Sequence, residues 1–206
     1  NPTGFCVSQM DGSVHVARSL MRYKKADPKE ARAVIVSAVM DLKASGVPVK
    51  CVVIDATSEK YWAAETRDGI EEKCSVPVLL MVSSEREEYH GENVLLKTSL
   101  GSQAAATFDD KMAAVAPDKA VKDDFRLVKK YKGGFDNEAD ADGNHGDLFD
   151  AYKLALRGHM TDCLETAAEA VQVGAARVSF DSDYRPDRMP MRPAENNQEK
   201  RGELWT

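Results

Sequence analysis

Two apolar runs rich in β-branched residues, Val49-Lys-Cys-Val-Val-Ile54 and Val76-Pro-Val-Leu-Leu-Met-Val82, set the strongest limit on the fold. Each is nearly continuous rather than alternating, the pattern of a strand covered on both faces. Pro77 is tolerated near the start of the second. Between them, Tyr61 to Lys73 reads as a helix. A helix-length connection is what parallel neighbours require, so the stretch predicts a βαβ unit inside an α/β chain. The first run reads as a central strand, and Asp55-Ala-Thr57 terminates it. That places a carboxylate at the sheet edge. A strand-ending Asx cap accounts for such an acid as readily as a functional role does.

Upstream, Gly4 to Tyr23 reads as two antiparallel strands joined at Asp11-Gly12, a hairpin signal. Val14, Val16 and Leu20 are expected on one face, with a bend near Leu20. Asp27-Pro28-Lys-Glu30 is a helix start, with Asp as cap and Pro at the first helical position. Ala31, Ile35, Ala38 and Leu42 continue at helical spacing, and Gly46 is placed to end the helix.

Downstream, Ser83 to Gly91 reads as a charged loop and Asn93 to Phe108 as a helix. His90-Gly-Glu92 matches the His-x-Glu of zinc deaminases, but no Pro-Cys-x-x-Cys follows, which removes that reading. Met112 to Ala116 is a short extended piece, and Phe125 to Tyr131 alternates as an edge strand. Lys129, Lys130 and Lys132 form a basic patch there, and solvated lysines that protect an edge explain it without a ligand. Gly133 to Asp147 is a Gly-, Asp- and Asn-rich loop. Glu138, Asp140, Asp142 and Gly143 begin like a calcium loop, but His145 and Phe149 break the pattern. Met160 to Val173 reads as a last helix, and residues 176–206 as a polar, Pro-rich tail after a domain spanning 1–175.

The loop runs directly into Asp147-Leu-Phe-Asp150-Ala-Tyr-Lys-Leu-Ala155, which is helical in spacing. Asp147 stands where a cap residue would, and Asp147, Asp150, Ala151 and Leu154 share one face. A helix with an acidic first turn, packed on a sheet, can bring Asp147 over the strand end that carries Asp55. Carboxylates gathered so closely repel unless a divalent cation lies between them. Magnesium or manganese, hard and oxygen-seeking, suits the donors. A pair of such ions polarises a scissile phosphate and activates water.

The chain has 206 residues, 43% of them hydrophobic, enough for one sizeable core. A formal net charge of -6 argues against strong electrostatic binding of nucleic acid over the whole surface, but a metal-dependent nuclease site is itself acidic. The scattered cysteines, at 6, 51, 74 and 163, read as buried reduced thiols. No apolar run has the length of a membrane span, and no signal peptide is visible.

Val53-Ile-Asp55-Ala-Thr57, Lys97-Thr-Ser-Leu100 and above all His145-Gly-Asp147-Leu-Phe-Asp150-Ala-Tyr-Lys-Leu-Ala155 resemble the nuclease domain of the tailed-bacteriophage terminase large subunit, a ribonuclease H-like fold. The resemblance spans most of Gly4 to Arg157. It implies a mixed β-sheet flanked by helices and a two-metal endonuclease, using magnesium or manganese, that cuts concatemeric double-stranded DNA. It implies Asp55 and Asp147 as catalytic acids, metal contact by Asp55, Asp147 and Asp150, and supporting roles for His145 and Thr57. DNA contacts fall to Lys129, Lys130, Lys132 and Arg86, directed at phosphate rather than base edges. Implied partners are an ATPase motor domain of the same polypeptide, a small terminase subunit and a portal, acting in the host cytoplasm. The family's first acid lies on a strand expected ahead of Asn1, and no Gly-x-x-x-x-Gly-Lys-Ser/Thr motor motif occurs here. The competing reading is a non-catalytic docking module of the same fold, holding DNA or the portal. A junction resolvase or transposase shares the metal chemistry and differs in substrate.

Overall fold

The computed structural model describes residues 3–23 and 27–161. In chain order the elements are β1 (Thr3–Asp11), β2 (Val14–Tyr23), α1 (Pro28–Ala44), β3 (Val52–Asp55), α2 (Lys60–Cys74), β4 (Val78–Met81), β5 (Arg86–Tyr89) and β6 (Glu92–Leu95). There follow α3 (Leu96–Asp109), β7 (Ala113–Ala114), α4 (Lys119–Phe125), β8 (Val128–Tyr131), β9 (Gly134–Asn137) and α5 (Asp147–Met160). The chain is mixed α/β, and its described strands form four small sheets: β1-β2-β7, β3-β4, β5-β6 and β8-β9. The expected last helix beyond Met160 and the expected tail at 176–206 lie outside the described residues.

β1 and β2 form the expected hairpin, with Asp11 paired to Val14 and Gly12 at φ +58° in the turn. Val7 pairs with Ser19 but Ser8 with Ala17, so Arg18 is an extra, unpaired residue. This bulge advances the side-chain phase by one position. Before it His15 and Ala17 face the core, and after it Leu20 does. Val14 and Val16, expected inward with Leu20, lie half-buried on the opposite face.

Helix α1 starts as its sequence dictates: the Asp27 carboxylate accepts from the Lys29 N–H at 2.7 Å, with Pro28 at the first position. Its apolar stripe packs with α2, β3 and β4 around Val39, Ile54, Ala63 and Ile70. β3 and β4 are parallel, in register from Val52↔Val78 to Asp55↔Met81. Val52 and Ile54 face this core, while Val53 faces α5, where a Cβ on Gly158 would lie 2.9 Å from Val53 Cγ2. Both faces of β3 are thus covered, as its unbroken apolar run requires. It is not central, because among the described residues it pairs with β4 alone.

Three local expectations change. The charged stretch after Ser83 is a hairpin, β5-β6, because His90 and Gly91 take φ of +52° and +80°, a backbone that turns tightly. α3 therefore begins at Leu96 rather than Asn93. Lys119 to Phe125 is helical, capped by Asp118 on the N–H groups of Ala120 and Val121, so the edge strand shrinks to Val128–Tyr131.

A second core lies between α5, α3 and the β1-β2 hairpin, around Ala17, Ala104, Phe149, Tyr152 and Leu156. The buried side of α5 carries Leu148, Phe149, Tyr152, Lys153 and Leu156. The side expected to face inward, with Asp147, Asp150, Ala151 and Leu154, is only half-buried. Two aromatic rings offer more apolar area than Ala151 and Leu154, and the helix rotates to bury them. Gly4 lets β1 touch the first turn of α5, where a Cβ would stand 2.0 Å from the Asp147 carbonyl oxygen. His15 is fully buried beside the Tyr152 ring, 4.7 Å between centroids, and its ring nitrogens have no hydrogen-bond partner among the described residues. Burial, and then the nearby His159, push its pKa down to about 4. No helix among the described residues is long and apolar enough to cross a membrane.

Candidate active site

The first turn of α5 is built by residues distant in sequence. Its cap is Gly146, at φ +78°, and has no side chain to offer. The buried carboxylate of Asp124, from the end of α4, takes that part: its Oδ1 accepts from the N–H groups of Leu148 and Phe149, each at 3.0 Å. Asp147 is therefore the first helical residue and not the cap. The orphan N–H groups at a buried helix end need acceptors that water cannot supply, and Asp124 meets two of them.

Arg22, at the end of β2, completes the group. Its Nη2 pairs with Asp124 Oδ2, and its Nε lies 3.7 Å from Asp147 Oδ2. All three side chains are largely withdrawn from solvent, with exposures of 16% for Arg22, 0% for Asp124 and 17% for Asp147. Burial raises the Asp124 pKa above the ordinary carboxylate value, and the Asp147 charge adds to the rise. The Phe149 N–H and Arg22 oppose it. Asp147 Oδ2 also meets the His145 N–H at 3.4 Å, while its Oδ1 has no partner among the described residues.

Asp150 is engaged on both oxygens, by Lys153 Nζ at 2.5 Å and by Asn137 Nδ2 at 3.3 Å. Asn137 also donates to the His145 carbonyl at 2.7 Å, tying β9 to the loop ahead of α5. His145 itself is exposed. In that loop Asp140 accepts from the backbone and side chain of Asn144, which hold its pKa below the ordinary value.

Asp55 is exposed at the C-terminal end of β3. Its Oδ1 accepts from the Thr57 N–H at 2.8 Å, and Thr57 Oγ1 accepts from the Ser83 N–H at 2.8 Å, so the strand end is both an Asx turn and a link to the residue after β4. Asp55 and Asp147 lie on elements that pack together, α5 on β3, but the close approach is at Gly158 and Val53, eleven residues or about 16 Å along the helix from Asp147, and no contact joins the two acids among the described residues. The chemistry of these donors fits a hard divalent ion. Their number does not: among the described residues no group of three or more His, Cys, Asp or Glu side chains is placed to hold a metal.

Of the basic residues, Lys129 pairs with Glu138 at 2.6 Å across the β8-β9 hairpin, and Lys132 lies over the Tyr131 ring. Lys130 is exposed. Arg86, on β5, donates to the Asn93 carbonyl at 2.9 Å. Lys97-Thr-Ser-Leu100 forms the first turns of α3, where Ser99 is buried against Glu87, and Glu87 pairs with Arg157 of α5 at 2.6 Å. Sequence reasoning passed over Arg22, Asp124 and Asn137. Arg22 left one trace, a guanidinium among apolar residues at a strand end, whereas nothing local separates Asp124 from Asp123. No protein-family model, curated protein or solved structure matches the chain.

Proposed function

We propose that the chain is the nuclease part of a viral DNA-packaging terminase, a ribonuclease H-like, metal-dependent endonuclease acting on double-stranded DNA. One observation carries the reading: a parallel strand ends in an exposed acid, Asp55, and the helix packed against that strand begins with an acidic turn, Asp147 to Asp150. Asp55 Oδ2 and Asp147 Oδ1 have no hydrogen-bond partner among the described residues, so each has an oxygen to offer a cation. Completed by the further acid that the resemblance implies, such a site would hold magnesium or manganese, which would supply Lewis acidity toward a phosphodiester. Arg22 and the His145 N–H fix the Asp147 carboxylate, and Thr57 fixes that of Asp55. Lys130, on β8, and Lys132, in the turn after it, would supply sequence-tolerant phosphate contacts. The resemblance assigns a further acid to a strand ahead of Asn1. The ion pairing of Arg22 with Asp124 and Asp147, which commits part of the Asp147 charge to the fold, favours the docking-module alternative.

Manganese titration separates the two. Plasmid cleavage and thermal unfolding are followed with increasing manganese, in this chain and in a form extended ahead of Asn1. The nuclease reading expects manganese-dependent cutting in at least the extended form, lost on Asp147→Ala with the fold retained. At ten times the dissociation constant, bound ion stabilises by about 1.4 kcal/mol. No cleavage and no stabilisation in either form leaves the docking module.

A further inference from the structure

A groove of about 770 Å³ opens between α3, α4 and the β8-β9 hairpin. Its floor is aromatic: Phe108, Phe125, Phe135 and Phe149 line it, with Phe125 edge-on to both Phe108 and Phe149 at 5.9 and 5.4 Å. Phe149 also belongs to the first turn of α5, so the floor begins beside Asp147 and Asp150. The lip is charged. Lys119 is taken by Asp123, and Asp118 by the N–H groups it caps, while Asp109 stands at the end of α3. Lys122 and Arg126, four residues apart, line the groove, are exposed and make no ion pair among the described residues. Lys130 extends the cationic edge: it is the cross-strand partner of Phe135, so both project on one face of the hairpin.

We propose that this groove binds a single-stranded segment of nucleic acid, a base lying on the phenylalanine floor and neighbouring phosphates meeting Lys122, Arg126 and Lys130. The inference deepens the nuclease reading, on which it rests for the class of polymer. Stacking on aromatic rings together with cations along one edge is how single strands are held without sequence preference. Asp123 lies close enough to Lys122 and Arg126 to feel both charges but is paired with Lys119, so an apolar peptide would use the floor and leave three cations that make no ion pair among the described residues.

The test is binding, in EDTA, of a short oligothymidylate carrying one 2-aminopurine, read by anisotropy and by the emission of the modified base. The native chain is expected to bind and to quench that emission. Replacing both Lys122 and Arg126 by Gln should weaken binding at least tenfold. It should also lower the slope of log K against log salt by about 1.4, for two phosphate contacts at ~0.7 each. Phe135→Leu, with unchanged near-UV dichroism, should weaken binding roughly tenfold and abolish the quench. If that variant does not fold, the exposed Gln pair decides alone. Unchanged binding by the Gln pair overturns the proposal, as does preferential uptake of an acidic, tryptophan-bearing peptide that the oligonucleotide fails to displace. Asp147→Ala keeps the two readings apart, since it leaves this metal-free binding intact while removing cleavage.

Discussion

Replacing Asp124 by Ala removes two kinds of support from the start of α5. The carboxylate accepts two N–H groups, at 3.0 Å each, from Leu148 and Phe149, and losing a cap costs about 1–2 kcal/mol. It also leaves Arg22 without its nearest counter-charge at a site where that side chain is only 16% exposed. Breaking a buried pair from one side costs about 3–5 kcal/mol. Asp147, at 3.7 Å from Arg22 Nε, compensates in part, which places the total at about 3–5 kcal/mol. In urea unfolding with a slope of about 2 kcal/mol per molar, the midpoint should fall by roughly 2 M with the slope unchanged. Asp124→Asn keeps an acceptor for the cap and should lose about half as much. In a double-mutant cycle, Arg22→Met should make the later loss of Asp124 cheaper by about 2 kcal/mol. A loss below about 1 kcal/mol for Asp124→Ala, or an additive cycle, would refute a mutually supporting cap and ion pair.

The buried His15 makes the fold acid-sensitive. Its pKa lies near 4 in the folded chain against an ordinary 6.5, so the unfolded chain takes the proton first. Stability is then complete above pH 6.5 and falls as the pH drops toward 4, by about 3 kcal/mol if fully expressed. His15→Phe keeps the ring beside Tyr152, removes two unpartnered nitrogens and should flatten that dependence in a pH series of thermal melts. A series as steep as the native one would clear His15 of the effect. Gly4→Ala drives a methyl to within 2.0 Å of the Asp147 carbonyl oxygen, a backbone atom that cannot swing aside. It should cost about 2–4 kcal/mol, seen as a lowered melting temperature. Asp55→Asn, exposed and able to keep its turn bond to Thr57, should change stability by less than about 1 kcal/mol; a larger loss would mean that the carboxylate charge holds the strand end.

What the chain states locally, it states well. The Asp27-Pro28 start of α1, the turn at Gly12 and the βαβ unit from Val52 to Met81 each depend on residues a few positions apart, and each forms as read. Asp55 closing a strand and the acidic start of a helix at Asp147 are legible for the same reason. What the tertiary structure alone decides is anything set by a partner far along the chain. The bulge at Arg18 exchanges the faces of β2, and the competition between Phe149 with Tyr152 and Ala151 with Leu154 sets the rotation of α5. The true cap of that helix is an aspartate 23 positions before Asp147, held by an arginine 102 positions before itself. Local spacing encodes dihedral preference and periodicity, but a buried charge is placed only where packing brings its counter-charge and its N–H donors together.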